Sequence, residues 1–222
     1  MDSHSVISRT SAAYVTGASL LLMAVLAAAA NFGVVQPNAA DLPGFAALQP
    51  VGFGLAVAAL MVVVFLDVVV AWGLHLVFGE GNLALSGLTA WLWVVYAAVF
   101  LVAIGVLGAL VGGVSDVPAG LAFTLFDSVW SAGLGLFGAH LLLLAALLMR
   151  SRFAPTWLGA LVGVAGVGYV ADAFTSLVAP GAAFGVGAFT FVGEVVLLVW
   201  LLVSARRRPP RPATDVVGFA AG

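Results

Sequence analysis

The sequence predicts an all-α fold, a bundle of six transmembrane helices with both termini in the cytoplasm. The chain has 222 residues, of which 64% are hydrophobic and 7% are charged, whereas a soluble domain is about half apolar and about a quarter charged. It contains six apolar stretches of the length that crosses a bilayer, about 20 residues. All seven basic residues are arginines, and six spans place every one of them on the same side of the membrane.

Each predicted span is bounded by turn-forming or charged residues. A loop beginning at Gln36 precedes the second span, and two glycine-rich turns bound the third. Arg150 ends the fourth span, and Pro180 precedes the sixth. The first span has the outline of a secretory signal, but its apolar stretch is longer than a signal core, so we interpret it as a retained helix. The predicted spans cover residues 12–35, 50–78, 85–111, 120–149, 156–178 and 182–204.

Charge gives the domain organisation and the orientation. Residues 1–205 are predicted to form one integral membrane domain, and residues 206–222 a basic, then flexible, cytoplasmic tail. Because arginines collect in cytoplasmic loops, both termini are expected in the cytoplasm of a cell whose plasma membrane the chain crosses several times. Membrane lipids are the expected partners.

Composition excludes several classes of function. There is no cysteine, so the chain has no disulfide, thiolate nucleophile or iron–sulfur site. There is no lysine, so Schiff-base chemistry is excluded. No basic surface is available to neutralise nucleic-acid phosphates, and no phosphate-binding glycine loop occurs. No cofactor is predicted.

Four acids lie inside predicted spans, and they are the first candidates for function. Asp67, Asp127, Asp172 and Glu194 fall in the second, fourth, fifth and sixth spans. Placing one such side chain at the centre of a membrane helix costs about 2.5–3.5 kcal/mol. An ionisable group at this depth is therefore taken first as a candidate for function. No arginine lies within a span to pair with them. The acids must therefore be protonated, hydrogen-bonded, hydrated or bound to a cation.

Hydroxyl groups accompany the acids on the same helix faces. They sit three or four positions away, the spacing that shares a face. We interpret them as supporting groups for a proton- or ion-binding cluster, with interhelical hydrogen bonding as the alternative, worth about 0.6 kcal/mol per contact. The supporting residues are Thr124, Ser131, Tyr169, Ser176 and Thr190.

Two histidines lie near the cytoplasmic ends of the second and fourth spans. His140 is a candidate inner proton relay, and His75 with His140 is a weak candidate metal site that needs a third ligand. Asp127 and His140 are thirteen positions apart, about 140° around a helix, so they cannot share one site. No spaced metal motif supports a metal centre.

Glycines in the last two spans predict close helix contact through small-residue faces. These faces serve packing within the chain or association with a second copy or another membrane protein. The glycines are Gly159, Gly163, Gly166, Gly181 and Gly185.

Several stretches together resemble a known family. They are Asp67 with Trp72, Trp91 with Tyr96, Phe126-Asp127 with Trp130, Leu136 to His140, Arg150 to Gly159, Gly166 to Asp172, and Phe191 to Glu194. The chain is similar over about residues 8–206 to domain-of-unknown-function family 4386, small bacterial and archaeal membrane proteins.

The resemblance implies six helices and carries no activity with it. It also implies that Asp67, Asp127, His140, Asp172 and Glu194 occupy pattern positions. The sequence departs from the family at His75, where a tyrosine is common, and at Glu80, in a turn that is commonly basic.

Three functions remain open from the sequence. The preferred one is a small proton- or cation-coupled transporter or channel-like protein, with Glu194, Asp127 and Asp172 as a binding cluster and Asp67 below it. The second is an intramembrane enzyme that acts on a lipid-like substrate through an acid pair or a metal-bound water; an enzyme is the less favoured class. The third is a structural or regulatory membrane subunit.

Overall fold

The computed structural model describes residues 7–114, 116–118, 120–179 and 192–206, and these residues form helices joined by short turns. The all-α fold predicted from the sequence is confirmed, because the described residues form helices and no strand, and five spans are long and apolar enough to cross a membrane. The helices are α1 (Arg9–Ala30), α2 (Leu42–Leu48), α3 (Pro50–Phe78), α4 (Leu83–Val111), α5 (Leu121–Arg150), α6 (Thr156–Val178) and α7 (Val192–Arg206).

Five of the predicted spans are long and apolar enough to cross a membrane. Their mean hydropathies lie between 1.6 and 2.8, and helices this apolar all round are stable only when lipid or protein covers them. The sixth span is represented by α7, which has 15 described residues. Its predicted first half lies outside the described residues, as does most of the basic tail.

The long helices form a closed ring in chain order. α1 packs on α3, α3 on α4, α4 on α5 and α5 on α6, and α7 fills the gap between α6 and α1. Short turns explain the α3–α4 and α5–α6 pairs, because a turn of a few residues forces the next helix to run antiparallel beside the last. The ring directs the inner faces of α3 to α7 toward a common interior.

The loop predicted after the first span is helical instead. The chain continues from α1 through a π-helical turn at Asn31–Val35 and a 3₁₀ turn at Gln36–Asp41 into α2. Asp41 caps α2, because its carboxylate accepts the amide of Gly44 at 3.0 Å, and Leu42 is fully buried. Proline and asparagine predict a loop here, but each proline occupies a first-turn position of a helix, where its missing N–H costs nothing.

The charged groups collect at one end of the ring. Arg9 at the start of α1 forms an ion pair with Glu80 in the α3–α4 turn, and its guanidinium lies 5.6 Å from the ring centre of Phe153 between α5 and α6. Phe153 packs in turn on Trp200 of α7, with ring centres 5.1 Å apart. This end therefore gathers the start of α1, both turns and the end of α7, as six antiparallel spans require. Glu80 lies in the turn that is commonly basic in the family it resembles, and here its carboxylate has Arg9 as its counter-ion.

Glycines allow a close approach of the α5 and α6 backbones. A Cβ on Gly138 would lie 2.8 Å from the carbonyl oxygen of Gly166, and a Cβ on Gly166 would lie 2.8 Å from that of Gly138. Gly159 meets the backbone of Ala145 in the same way, at 2.9 Å. The α6 glycines thus serve packing within the chain, while Gly181 and Gly185 lie outside the described residues.

Candidate functional site

Asp67 is held in the interior by a tryptophan of the neighbouring helix. Its side chain on α3 is 1% exposed, and Trp93 on α4 is 2% exposed. The indole Nε1–H of Trp93 donates to Oδ1 of Asp67 at 2.8 Å. The second oxygen, Oδ2, is buried without a hydrogen-bond partner in the described part of the chain. A carboxyl in this position is most stable in its neutral form, because an unpaired buried charge is costly.

His140 is fixed by the backbone of α4. The imidazole on α5 is fully buried, and its Nδ1 lies 2.8 Å from the carbonyl oxygen of Thr89. Since a carbonyl oxygen only accepts, Nδ1 carries the proton and Nε2 keeps its lone pair. Nε2 has no partner among the described residues. The ring also contacts Trp93, with centroids 4.5 Å apart.

Glu194 meets the hydroxyl of Tyr169 across the α6–α7 contact. The two side chains are hydrogen-bonded, and Oε1 of Glu194 is buried with no partner in the described ranges. Glu194 therefore has the same arrangement as Asp67. An aromatic side chain donates a hydrogen bond to one carboxyl oxygen, and the other oxygen has no partner among the described residues.

An aromatic cluster, defined here as Trp93, Tyr96, Phe137 and Tyr169, connects the two acids. The Phe137 ring lies 5.3 Å from that of Trp93, 4.9 Å from that of Tyr96 and 5.6 Å from that of Tyr169. Tyr96 is close enough to both Asp67 and Glu194 to interact with them electrostatically. Asp67 and Glu194 thus belong to one interior, although they lie on helices on different sides of the ring.

The other predicted acids are placed differently. Asp127 is half-buried and makes no hydrogen bond within the described residues, and Asp172 lies within electrostatic range of Tyr169. The described part of the chain brings no three of its His, Asp and Glu side chains into a group that could hold a metal ion.

Among the described residues that were predicted to support the acids, Tyr169 is the one whose hydroxyl forms a hydrogen bond with an acid, Glu194. Thr124 donates to the carbonyl oxygen of Gly120 at 2.9 Å, and Ser176 to that of Ala173 at 2.8 Å, both within their own helix regions. Ser131 is half-buried, and Thr190 lies outside the described residues.

His75 and His140 line one narrow cleft. His75 Nδ1 lies 2.8 Å from Oγ of Ser86, near the end of α3 and the start of α4. The cleft encloses about 190 Å³ including its open mouth, and it leaves no room for a water molecule. The structure thus brings the two histidines of the second and fourth spans to one cleft.

Sequence reasoning missed the aromatic residues that organise this interior. Trp93, Tyr96 and Phe137 lie in apolar spans, Tyr96 and Phe137 also in stretches that carry the family resemblance, and none of the three is predicted as a site residue. The spacing of Thr89, Trp93 and Tyr96 places them on one helix face, and a buried indole N–H needs an acceptor. Those two signals together point to a polar group facing the third span.

Charge neutralisation inside the ring does not come from arginine. The arginines in the described ranges lie at helix ends, at Arg9, Arg150, Arg152 and Arg206. The acids of the interior are therefore stabilised by aromatic N–H and O–H donors rather than by ion pairs.

Comparisons with known proteins agree with this architecture. The family described as "Domain of unknown function (DUF4386)" matches residues 15–205. An "Uncharacterized protein" of Archaeoglobus fulgidus is 32% identical over 152 residues, which cover 68% of this chain and 85% of the relative. No solved structure matches the chain. The protein is therefore an integral membrane protein that belongs to the DUF4386 family.

Proposed function

We propose that the protein is a proton-coupled membrane transporter in which Asp67 and Glu194 bind and release the coupling proton. One observation carries the proposal. Each acid is buried beside an aromatic donor and keeps one carboxyl oxygen without a partner among the described residues. That oxygen is where a neutral acid carries its proton, and intramembrane acids arranged in this way serve proton relays in pumps and transporters.

The arrangement favours a proton over a metal cation as the coupling ion. A proton needs one carboxyl, whereas a metal cation bound by carboxylates needs several oxygen ligands. The described acids are dispersed and form no group of three ligands. Tyr96, between the two acids, supplies a hydroxyl that can pass a proton between them when the helices move.

The experiment measures protonated carboxyls directly by infrared spectroscopy. The protein in liposomes is titrated from acid to alkaline buffer, and the carbonyl-stretch band of neutral carboxyls is followed. We expect the band to disappear reversibly and to be reduced in both D67N and E194Q. The control is D116N, which removes an exposed acid between α4 and α5 and leaves unchanged the part of the band that is present at neutral pH, where exposed carboxyls are ionised.

A band that persists at every pH would contradict the proposal. It would mean that the acids never exchange protons with water, and it would favour the structural-subunit function, in which the carboxyls only join helices. A titrating band is followed by a transport measurement, the collapse of an imposed proton gradient in liposomes, which D67N and E194Q should slow by at least about 10-fold, the scale of one relay group.

A further inference from the structure

Aromatic side chains meet across the arginine-bearing end of the ring. Phe78, the last residue of α3, is 4% exposed. Its ring stacks on that of Trp200 on α7, with centroids 6.4 Å apart, and meets that of Phe153 in the α5–α6 turn edge-on at 6.1 Å. Since α3 packs mainly on α1 and α4, these contacts join elements that are not neighbours in the ring. They therefore close its end instead of following its wall.

An ion pair joins the same end from the side of α1. Arg9 pairs with Glu80 in the α3–α4 turn, and the two side chains are 30% and 78% exposed. The guanidinium also lies over the ring of Phe153, while Nε of Arg9 is buried without a partner among the described residues. An ion pair between exposed groups contributes little to stability and is weakened by salt. This contact can therefore break and re-form without unfolding the bundle.

The narrow cleft of His75 and His140 lies one helical turn behind Phe78. On α3 it is lined by Ala71, Leu74 and His75, and positions 71, 74, 75 and 78 share one helix face. Phe78 thus lies between this lining and the end of the helix. Because the cleft leaves no room for a water molecule, it gives water no path inward from this end in the described part of the chain.

We propose that Arg9, Phe78, Glu80, Phe153 and Trp200 form a gate, which closes the arginine-bearing end of the ring and opens when the Arg9–Glu80 pair breaks. The structure is then the state that is closed at this end. The inference rests on the proposed function, because a transporter opens its binding site to one side of the membrane at a time. Its test measures the access of a water-soluble reagent and not the binding of a proton, so either proposal can fail without the other.

The test follows the reaction of a membrane-impermeant maleimide with a thiol behind the gate. The chain has no cysteine, so S86C in the full chain, held in lipid nanodiscs, reports alone. Ser86 is 2% exposed and lines the cleft. We expect S86C to react far more slowly than G81C, an exposed position in the α3–α4 turn. R9Q or E80Q should raise the S86C rate by about 5-fold, the effect of one exposed ion pair on an opening equilibrium.

A charge swap separates a broken ion pair from a damaged fold. R9E/E80R restores the pair with reversed polarity, so it should return the S86C rate most of the way to the slow value. High salt should raise the rate of the unaltered gate and leave that of E80Q unchanged, since E80Q has no pair to screen. The matched control is R152Q, which removes an exposed arginine of the same end and should leave the rate unchanged. A103C, fully buried near the other end of α4, should stay unlabelled in every variant.

Several results would overturn the gate. If S86C reacted as fast as G81C in the unaltered background, this end would be open. If R152Q accelerated labelling as much as E80Q, or if the charge swap labelled as fast as E80Q, the effect would come from net charge and not from the pair. A reactive A103C thiol would show that the variants unfold. An unchanged S86C rate in R9Q and E80Q would show that the ion pair does not hold this end closed.

Discussion

The carboxyl of Asp67 lies in an apolar interior, where the indole of Trp93 is its hydrogen-bond donor. A polar group at such a place costs free energy unless it is bonded, and the loss of one partner leaves the other unsatisfied. Trp93 therefore has two functions, since its ring also packs on Phe137 and His140. Tyr169 has the equivalent relation to Glu194.

The first prediction concerns this hydrogen bond. W93F keeps an aromatic ring but removes the N–H, so we expect the free energy of unfolding to fall by about 1–3 kcal/mol. D67L combined with W93F should recover part of that loss, because no polar group is then left unpaired. Thermal unfolding in detergent measures both.

The control for that prediction is W72F. Trp72 lies on the helix that carries Asp67 but is 42% exposed to the lipid side, so its loss should change stability by less than about 0.5 kcal/mol. If W93F proved no more destabilising than W72F, the bond to Asp67 would contribute nothing measurable.

At the scale of elements, the pairing of α5 with α6 depends on the absence of side chains. Gly138 and Gly166 bring two backbones within contact distance. In a membrane, helices associate by such packing rather than by hydrophobic exclusion from water. Gly159 and Gly166 of α6 therefore pack against α5 within the chain.

The second prediction tests that crossing. G138V places side-chain atoms against the backbone of α6, so we expect the helices to separate and stability to fall by about 1–3 kcal/mol, the usual cost of overpacking. Unfolding in a graded denaturing detergent measures the loss. G105A is the matched control, because Gly105 on α4 is exposed and an added Cβ meets nothing within 4 Å. Equal effects of the two variants would show that the crossing is not tight.

At the scale of the whole molecule, the ring of helices has two distinct ends. Arg9, Glu80, Phe153 and Trp200 meet at one end, and the α4–α5 turn with Asp116 lies at the other. The positive-inside rule predicts that the arginine-bearing end faces the cytoplasm. The plasma membrane as the location, and this orientation, stay predictions.

The third prediction tests the orientation. The chain has no cysteine, so a single introduced thiol reports its own side. D116C should react with a membrane-impermeant maleimide in intact cells, and G81C only after the membrane is opened. Both positions are exposed in turns, which makes them a matched pair. The reverse labelling pattern would invert the predicted topology.

The amino-acid sequence was enough to predict a membrane protein, an all-α fold and the bounds of α3 to α6 within a few residues. These follow from local quantities, because about 20 apolar residues must span the bilayer as a helix whatever their neighbours are. It also placed Asp67 and Glu194 within apolar stretches, and each of these carboxyls has a buried oxygen in the structure. Its error at residues 36–48 arose where proline and asparagine fit a helical turn as well as a loop.

Which polar groups meet depends on the tertiary structure. Trp93 reaches Asp67 across 26 positions, and His140 reaches Thr89 across 51. Such contacts depend on how each helix is rotated about its axis, and helices that are apolar on every side carry no pattern that records the rotation. Side-chain packing within the ring sets it, as at the glycine crossing of α5 and α6. The sequence therefore predicts that an acid lies within an apolar span, whereas the packing of the helices decides which group binds it.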